Sequence, residues 1–171
     1  TDSWSNVSNS LSSNVTGADG VNLLGDGRVI IIGGGTGGAD IYDPGTNSFS
    51  QASTMFVGIP LASAVTMNNG NIVVFGPSSA VDGTDTKTIQ VYSGSTDQWY
   101  TDTYTFYGPA RSRLHVLANG KVLSVGGSAR LGGLAPDCYL ISASVAAVSV
   151  DDPLKNISLA VFPNPAQDRI H

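Results

Sequence analysis

Three stretches of this chain align with one another without gaps, and such internal repetition restricts the fold more than any other feature. They are Leu24-Gly25-Asp26-Gly27-Arg28-Val29-Ile30-Ile31-Ile32-Gly33-Gly34, Met67-Asn68-Asn69-Gly70-Asn71-Ile72-Val73-Val74-Phe75-Gly76-Pro77 and Leu117-Ala118-Asn119-Gly120-Lys121-Val122-Leu123-Ser124-Val125-Gly126-Gly127. Each has an apolar residue, Asp or Asn two places on, a Gly, a short and mainly apolar run, and a closing Gly-Gly or Gly-Pro. Asp-Gly and Asn-Gly supply the positive φ of a tight hairpin turn. The apolar run reads as a strand buried on both faces. The closing glycines leave room for close approach of another backbone. The pattern predicts strands over 27–34, 70–76 and 120–127, each with a partner strand just ahead of its turn.

Two more elements recur downstream. Asp40-Ile41-Tyr42-Asp43-Pro44, Gln90-Val91-Tyr92-Ser93-Gly94 and Asp137-Cys138-Tyr139-Leu140 place a Tyr at the same position. Thr46-Asn47-Ser48-Phe49 and Thr96-Asp97-Gln98-Trp99 follow, and Thr1-Asp2-Ser3-Trp4 repeats that element at the start of the chain. Residues held at repeat positions serve a shared contact, so Tyr42, Phe49, Tyr92 and Trp99 are expected to be mostly buried. Composition agrees with an all-β chain. Among 171 residues there are 21 Gly, and all 13 acidic residues are Asp, which favours turns where Glu favours helices.

The combined pattern resembles the kelch repeat, in its secreted form related to the galactose oxidase propeller. The resemblance rests on the turn Gly, the strand closing in Gly-Gly, Tyr42-Asp43-Pro44 and the Thr-x-x-Phe or Thr-x-x-Trp element. It implies blades of four antiparallel strands packed face to face around an axis. In each blade the first strand precedes the turn Gly, the second is the apolar run, the third carries the Tyr and the fourth the Phe or Trp. The resemblance implies a partial propeller of about three blades over residues 1–148. Trp4 would lie on a fourth strand, two full blades would follow, and the third blade would end with its third strand. Two departures stand out: Pro77 replaces the second closing Gly, and residues 141–150 carry no aromatic where a fourth strand is due. The chain begins at Thr1 without an initiator Met and is read as a piece of a longer precursor, with further blades upstream.

Residues 149–156 are polar and read as a linker. Beyond them, Phe162, Pro163, Asn164, Pro165, Asp168 and Ile170 resemble the opening of the C-terminal sorting domain of the type IX secretion pathway of Bacteroidetes. That resemblance implies a truncated β tail over 157–171, separable from the preceding strands and packing little on them, and the type IX secretion machinery as a partner. A plain proline turn between two strands is the alternative for the same residues.

Candidate chemistry is sparse. Arg111, Arg113 and His115 alternate ahead of the third turn Gly. On a strand they share one face, which the kelch resemblance places at the central channel. Their plainer role is to hydrogen-bond loop carbonyls of the next blade; the functional alternative is an anion or sugar site at the channel mouth. Tyr104 and Tyr107 lie outside the repeat positions and are candidates for a ligand surface. A copper radical site of the galactose oxidase type would need a Tyr cross-linked to Cys. Cys138 and Tyr139 are neighbours on a strand, so they point to opposite faces and do not suit it. Gly33-Gly34-Gly35-Thr36-Gly37-Gly38 lacks the Lys-Ser/Thr of a phosphate loop. Asp82-Gly83-Thr84-Asp85 falls short of a calcium loop. No metal or cofactor is expected.

A net charge of −5 argues against nucleic acid as a partner, and no apolar run is long enough for a membrane helix. The expectation is a secreted or cell-surface binding or scaffold module for carbohydrate or protein ligands. The alternative is the non-catalytic part of a larger secreted carbohydrate-active or galactose-oxidase-like enzyme.

Overall fold

The computed structural model describes residues 4–12, 15, 18–33, 37–77, 87–104, 110–128, 138–145 and 157–163. Among these there is no helix. Sheet 1 comprises β1 (Ala18–Leu23), β2 (Val29–Gly33), β3 (Gly38–Asp43) and β4 (Ser48–Gln51). Sheet 2 comprises β5 (Ser63–Thr66), β6 (Ile72–Pro77), β7 (Lys87–Ser93) and β8 (Gln98–Tyr104). Sheet 3 comprises β9 (Arg113–Val116), β10 (Val122–Val125), β11 (Cys138–Val145) and β12 (Ile157–Pro163). Each sheet is an antiparallel meander in chain order.

The three repeated turns have one construction. The N–H of Leu24, Met67 and Leu117 donates to the carbonyl of Arg28, Asn71 and Lys121 at 2.8, 2.7 and 2.8 Å. Gly27, Gly70 and Gly120 donate back to Leu24, Met67 and Leu117 and hold φ of 90°, 82° and 79°. The side chains of Asp26, Asn69 and Asn119 each accept the N–H two residues on, at 3.1 Å. An Asx side chain closing on its own backbone, followed by a residue at positive φ, is what the Asx-Gly pair supplies.

Strand register sorts the apolar residues onto two faces. Ile72, Val74, Tyr92 and Trp99 of sheet 2 meet Leu24, Ile30, Ile32 and Ile41 of sheet 1 in one buried cluster. Val73, Phe75, Ile89 and Val91, on the other face of sheet 2, meet Val122 and Ile141 of sheet 3 in a second. Sheet 2 is thus covered on both sides, and this is why β6 has no polar alternation. Its Gly76 is required by the same packing. A Cβ there would lie 2.8 Å from Ile59 Cγ2 and 3.0 Å from Ala62 Cα.

At the inner edge the first strands lie side by side, β1 by β5 and β5 by β9. Thr66 Oγ1 donates to the Leu23 carbonyl at 3.1 Å, and the Ser63 hydroxyl donates to the Ser112 carbonyl. Among the described residues the stack does not close into a ring.

Three sequence expectations need correction. Trp4 is fully exposed and lies on no strand, so no fourth strand precedes sheet 1 within the described residues. Tyr92 and Trp99 are buried, but Tyr42 and Phe49 are only half-buried. The reason is positional. Tyr92 and Trp99 face sheet 1, whereas Tyr42 and Phe49 occupy the equivalent face of sheet 1, over which the described residues place no further sheet. The tail is the third correction. Ile157–Pro163 was expected to pack little, yet it is the fourth strand of sheet 3, paired with β11 from Val145↔Ile157 to Tyr139↔Pro163. Residues 141–145, where no aromatic marks a fourth strand, continue β11, and Phe162 stands opposite Leu140. The linker residues 149–156 fall outside the described residues.

Truncating Trp99 to Ala is expected to cost about 3–5 kcal/mol, and Phe49 to Ala clearly less, since only the first removes a buried ring. Deleting residues 157–171 is expected to lower the melting temperature by stripping the edge of sheet 3. Paired thermal melts of the three variants check both statements; equal losses for Trp99→Ala and Phe49→Ala would contradict the stacking order.

Candidate functional site

The candidate basic residues fall on the innermost strand of sheet 3 and the turn that enters it. Along β9 the side chains alternate. Leu114 and Val116 pack toward sheet 2, while Arg113 and His115 are exposed on the opposite face. Arg113 stands across from Val125, and His115 across from Leu123. Arg111 precedes the strand and is also exposed. The neck of this hairpin is closed by two backbone bonds between Ala110 and Ser128, at 3.0 and 2.9 Å.

Arg111 holds φ at 56°, and Leu61, fifty positions earlier, holds 58°. Left-handed backbone at a non-glycine, non-Asx residue carries strain of about 1–2 kcal/mol. Here it is held because Arg111 N–H donates to the Leu61 carbonyl at 3.0 Å, tying the entrance of sheet 3 to that of sheet 2. Arg113 and His115 thus share an exposed face of β9, and Arg111 is exposed at the turn that enters the strand. Neither Arg111 nor Arg113 has a carboxylate partner among the described residues. Guanidinium forks bind carboxylate, sulfate or phosphate by paired charge-assisted bonds.

The remaining candidates are placed as follows. Tyr104 ends β8, in sheet 2, and Tyr107 lies outside the described residues. Phe162 and Pro163 close β12, while Asn164, Pro165 and Asp168 lie outside the described residues. Cys138 pairs with Val125 and Tyr139 with Ser124, on opposite faces of β11, as their adjacency predicts. Tyr139 packs against Phe75 with ring centroids 6.1 Å apart. Among the described residues no three His, Cys, Asp or Glu side chains converge as a metal site would need. No described helix is long and apolar enough to cross a membrane.

Sequence reasoning missed a set of polar anchors that fix the loops at this stack. Two residues ahead of the repeat Tyr sits a buried polar side chain. In sheet 1, Asp40 accepts the Ser12 N–H at 2.6 Å and its hydroxyl at 2.8 Å. In sheet 2, Gln90 accepts the Phe56 N–H at 3.0 Å and donates to the Val57 carbonyl at 2.7 Å. Each captures the segment that leads into its own sheet. A second anchor lies two residues ahead of the repeat aromatic. Tyr42 donates to Asn47 at 2.9 Å and Tyr92 to Asp97 at 2.8 Å, and both Asx residues are left-handed, at 52° and 51°. Asp97 also accepts the Ser53 N–H, whose carbonyl accepts the Trp99 indole N–H at 2.8 Å. The signal for these anchors was present: polar residues recurring inside otherwise apolar repeat positions.

No protein-family model and no curated protein matches this chain.

Burial and the bond to Asp97 raise the Tyr92 hydroxyl well above its ordinary ionisation range near 10. The neutral donor is favoured in the fold, so its contribution is full below the unfolded value and is lost as pH rises past it. Tyr92→Phe is expected to remove that alkaline loss along with some stability at neutral pH. Denaturant titrations between neutral pH and pH ~11 check this; an unchanged alkaline slope in the variant would assign the effect to another group.

Proposed function

We propose that this chain forms consecutive blades of a kelch-type β-propeller that acts as a secreted or cell-surface binding module. The observation that carries the reading is the repeated anchoring of one sheet to the next. The same turn occurs three times, and the same two loop anchors and the same Tyr–aromatic pair recur in sheets 1 and 2. Such a scaffold fixes its loops rigidly while leaving their sequences free to vary, which suits recognition. Arg111, Arg113 and His115 give the binding face its chemistry. They favour a ligand with carboxylate or sulfate groups, on an acidic carbohydrate or an acidic protein segment.

Export by the type IX machinery rests on the motif from Phe162 to Ile170 alone, because the pairing of β12 removes the argument from a separable tail.

Binding of the chain to immobilised acidic and neutral oligosaccharides and to acidic peptides tests the proposal. Acidic ligands are expected to be retained, with affinity falling as salt rises. Arg113→Ala is expected to weaken binding by about tenfold or more, the loss of one charge-assisted bond. Retention that ignores both Arg111→Ala and Arg113→Ala would overturn the assignment of this face.

A further inference from the structure

The four-stranded meander puts two kinds of connection at opposite ends. Arg111 and the segments entering each sheet lie at one end. The turns β1–β2, β5–β6 and β7–β8 lie at the other, and three of them converge around a cavity of about 270 Å³. Leu24, Gly25 and Asp26 line it from sheet 1, and Asn69, Gly70, Asn71, Gly94 and Ser95 from sheet 2.

Its floor is apolar and built by close approach. Leu24 is buried, and Gly94 lies so near that a Cβ there would sit 3.1 Å from Leu24 Cδ2. Gly70 abuts the facing turn, with its would-be Cβ 3.7 Å from Gly25 Cα. The rim is polar and neutral. Both oxygens of Asp26 are engaged by Arg28, through the backbone N–H at 3.1 Å, Nε at 2.8 Å and the terminal guanidinium nitrogen at 2.8 Å. That charge is therefore already matched, which disfavours a free cation or anion. Asn69 Oδ1 accepts the Asn71 N–H, which leaves the Asn69 Nδ2 donors for the rim. The Asn71 carboxamide adds two donors and an acceptor, and the Ser95 hydroxyl, which shares a 3.1 Å hydrogen bond with the Ser93 hydroxyl, adds a further acceptor.

We infer that this inter-sheet cavity is a binding subsite for a neutral, polyhydroxylated ligand, the size of a single pyranose. The C–H face of the ring lies on Leu24 and the glycine methylenes, and adjacent hydroxyls pair with Asn69, Asn71 and Ser95. A few convergent polar groups over an apolar floor is the usual make-up of a small-molecule site. The subsite does not depend on the Arg111 face and would stand if that assignment failed.

The test is titration of the isotopically labelled chain with galactose, glucose and mannose, read from backbone amide shifts. Saturable shifts at Gly25, Gly70 and Gly94 are expected, with Kd in the range of about 1–10 mM. Asn71→Leu and Ser95→Trp are each expected to weaken binding by about tenfold or more without lowering the melting temperature, while Arg113→Ala leaves it unchanged. Absence of saturable shifts for all three sugars overturns the subsite. So does binding that survives both cavity variants, or an equal response to sodium sulfate, which would mean recognition of charge.

Discussion

The contact on which the rest depends is the covering of the middle sheet on both faces. Ile72, Val73, Val74 and Phe75 are all buried, with alternate residues committed to opposite neighbours. A strand of this kind has no solvent face and makes sense only between two other sheets. Its burial in turn demands Gly76, since any side chain there would strike the Ile59–Ala62 segment. The inner edge follows from the stacking. Once the faces are pressed together, β1, β5 and β9 come side by side, and Thr66 and Ser63 can reach their neighbours' carbonyls.

The stack ends differently on its two sides. On sheet 1, Val21 and Leu23 are 63% and 60% exposed, and the Tyr42–Phe49 pair stands at 5.3 Å and 52°. The buried Tyr92–Trp99 pair has nearly the same geometry, 5.0 Å and 51°. The same local design is therefore buried or half-exposed according to whether a sheet covers it. Part of the outer side of sheet 1 is occupied instead by the N-terminal segment. Ser12 bonds Asp40, and the Asn9 side-chain amide brackets the backbone of Phe49, its Nδ2 donating to the Phe49 carbonyl and its Oδ1 accepting the Phe49 N–H. On sheet 3 the outer side carries Arg113 and His115 together with the exposed Val125.

Much of this was legible in the repeat. The three turns follow from Asx-Gly chemistry, which is local and needs no tertiary context. The apolar runs after Gly27, Gly70 and Gly120 named the second strands within a residue or two. What failed was non-local. Nothing in the identity of Tyr42 distinguishes it from Tyr92; their exposure differs because of neighbours far along the chain. The fourth strand of sheet 3 escaped because its aromatic, Phe162, comes 23 residues after Tyr139, where the earlier repeats use seven. The motif in that strand pointed elsewhere. The anchors at Asp40, Gln90, Asn47 and Asp97 escaped for another reason. A polar residue at a repeat position reads as a turn or surface residue until its partner loop is seen.

Native-state hydrogen exchange tests the central role of the middle sheet most directly. Amides buried in the doubly covered sheet should open only with the whole fold, whereas edge strands open locally at lower cost. The account predicts that the amides of Val73, Val74 and Phe75 in β6, with Val91 in β7, exchange slowest, and that those of β1 and β12 exchange well ahead of them. Slowest exchange in sheet 1 or sheet 3, with β6 opening early, would contradict a fold built around sheet 2.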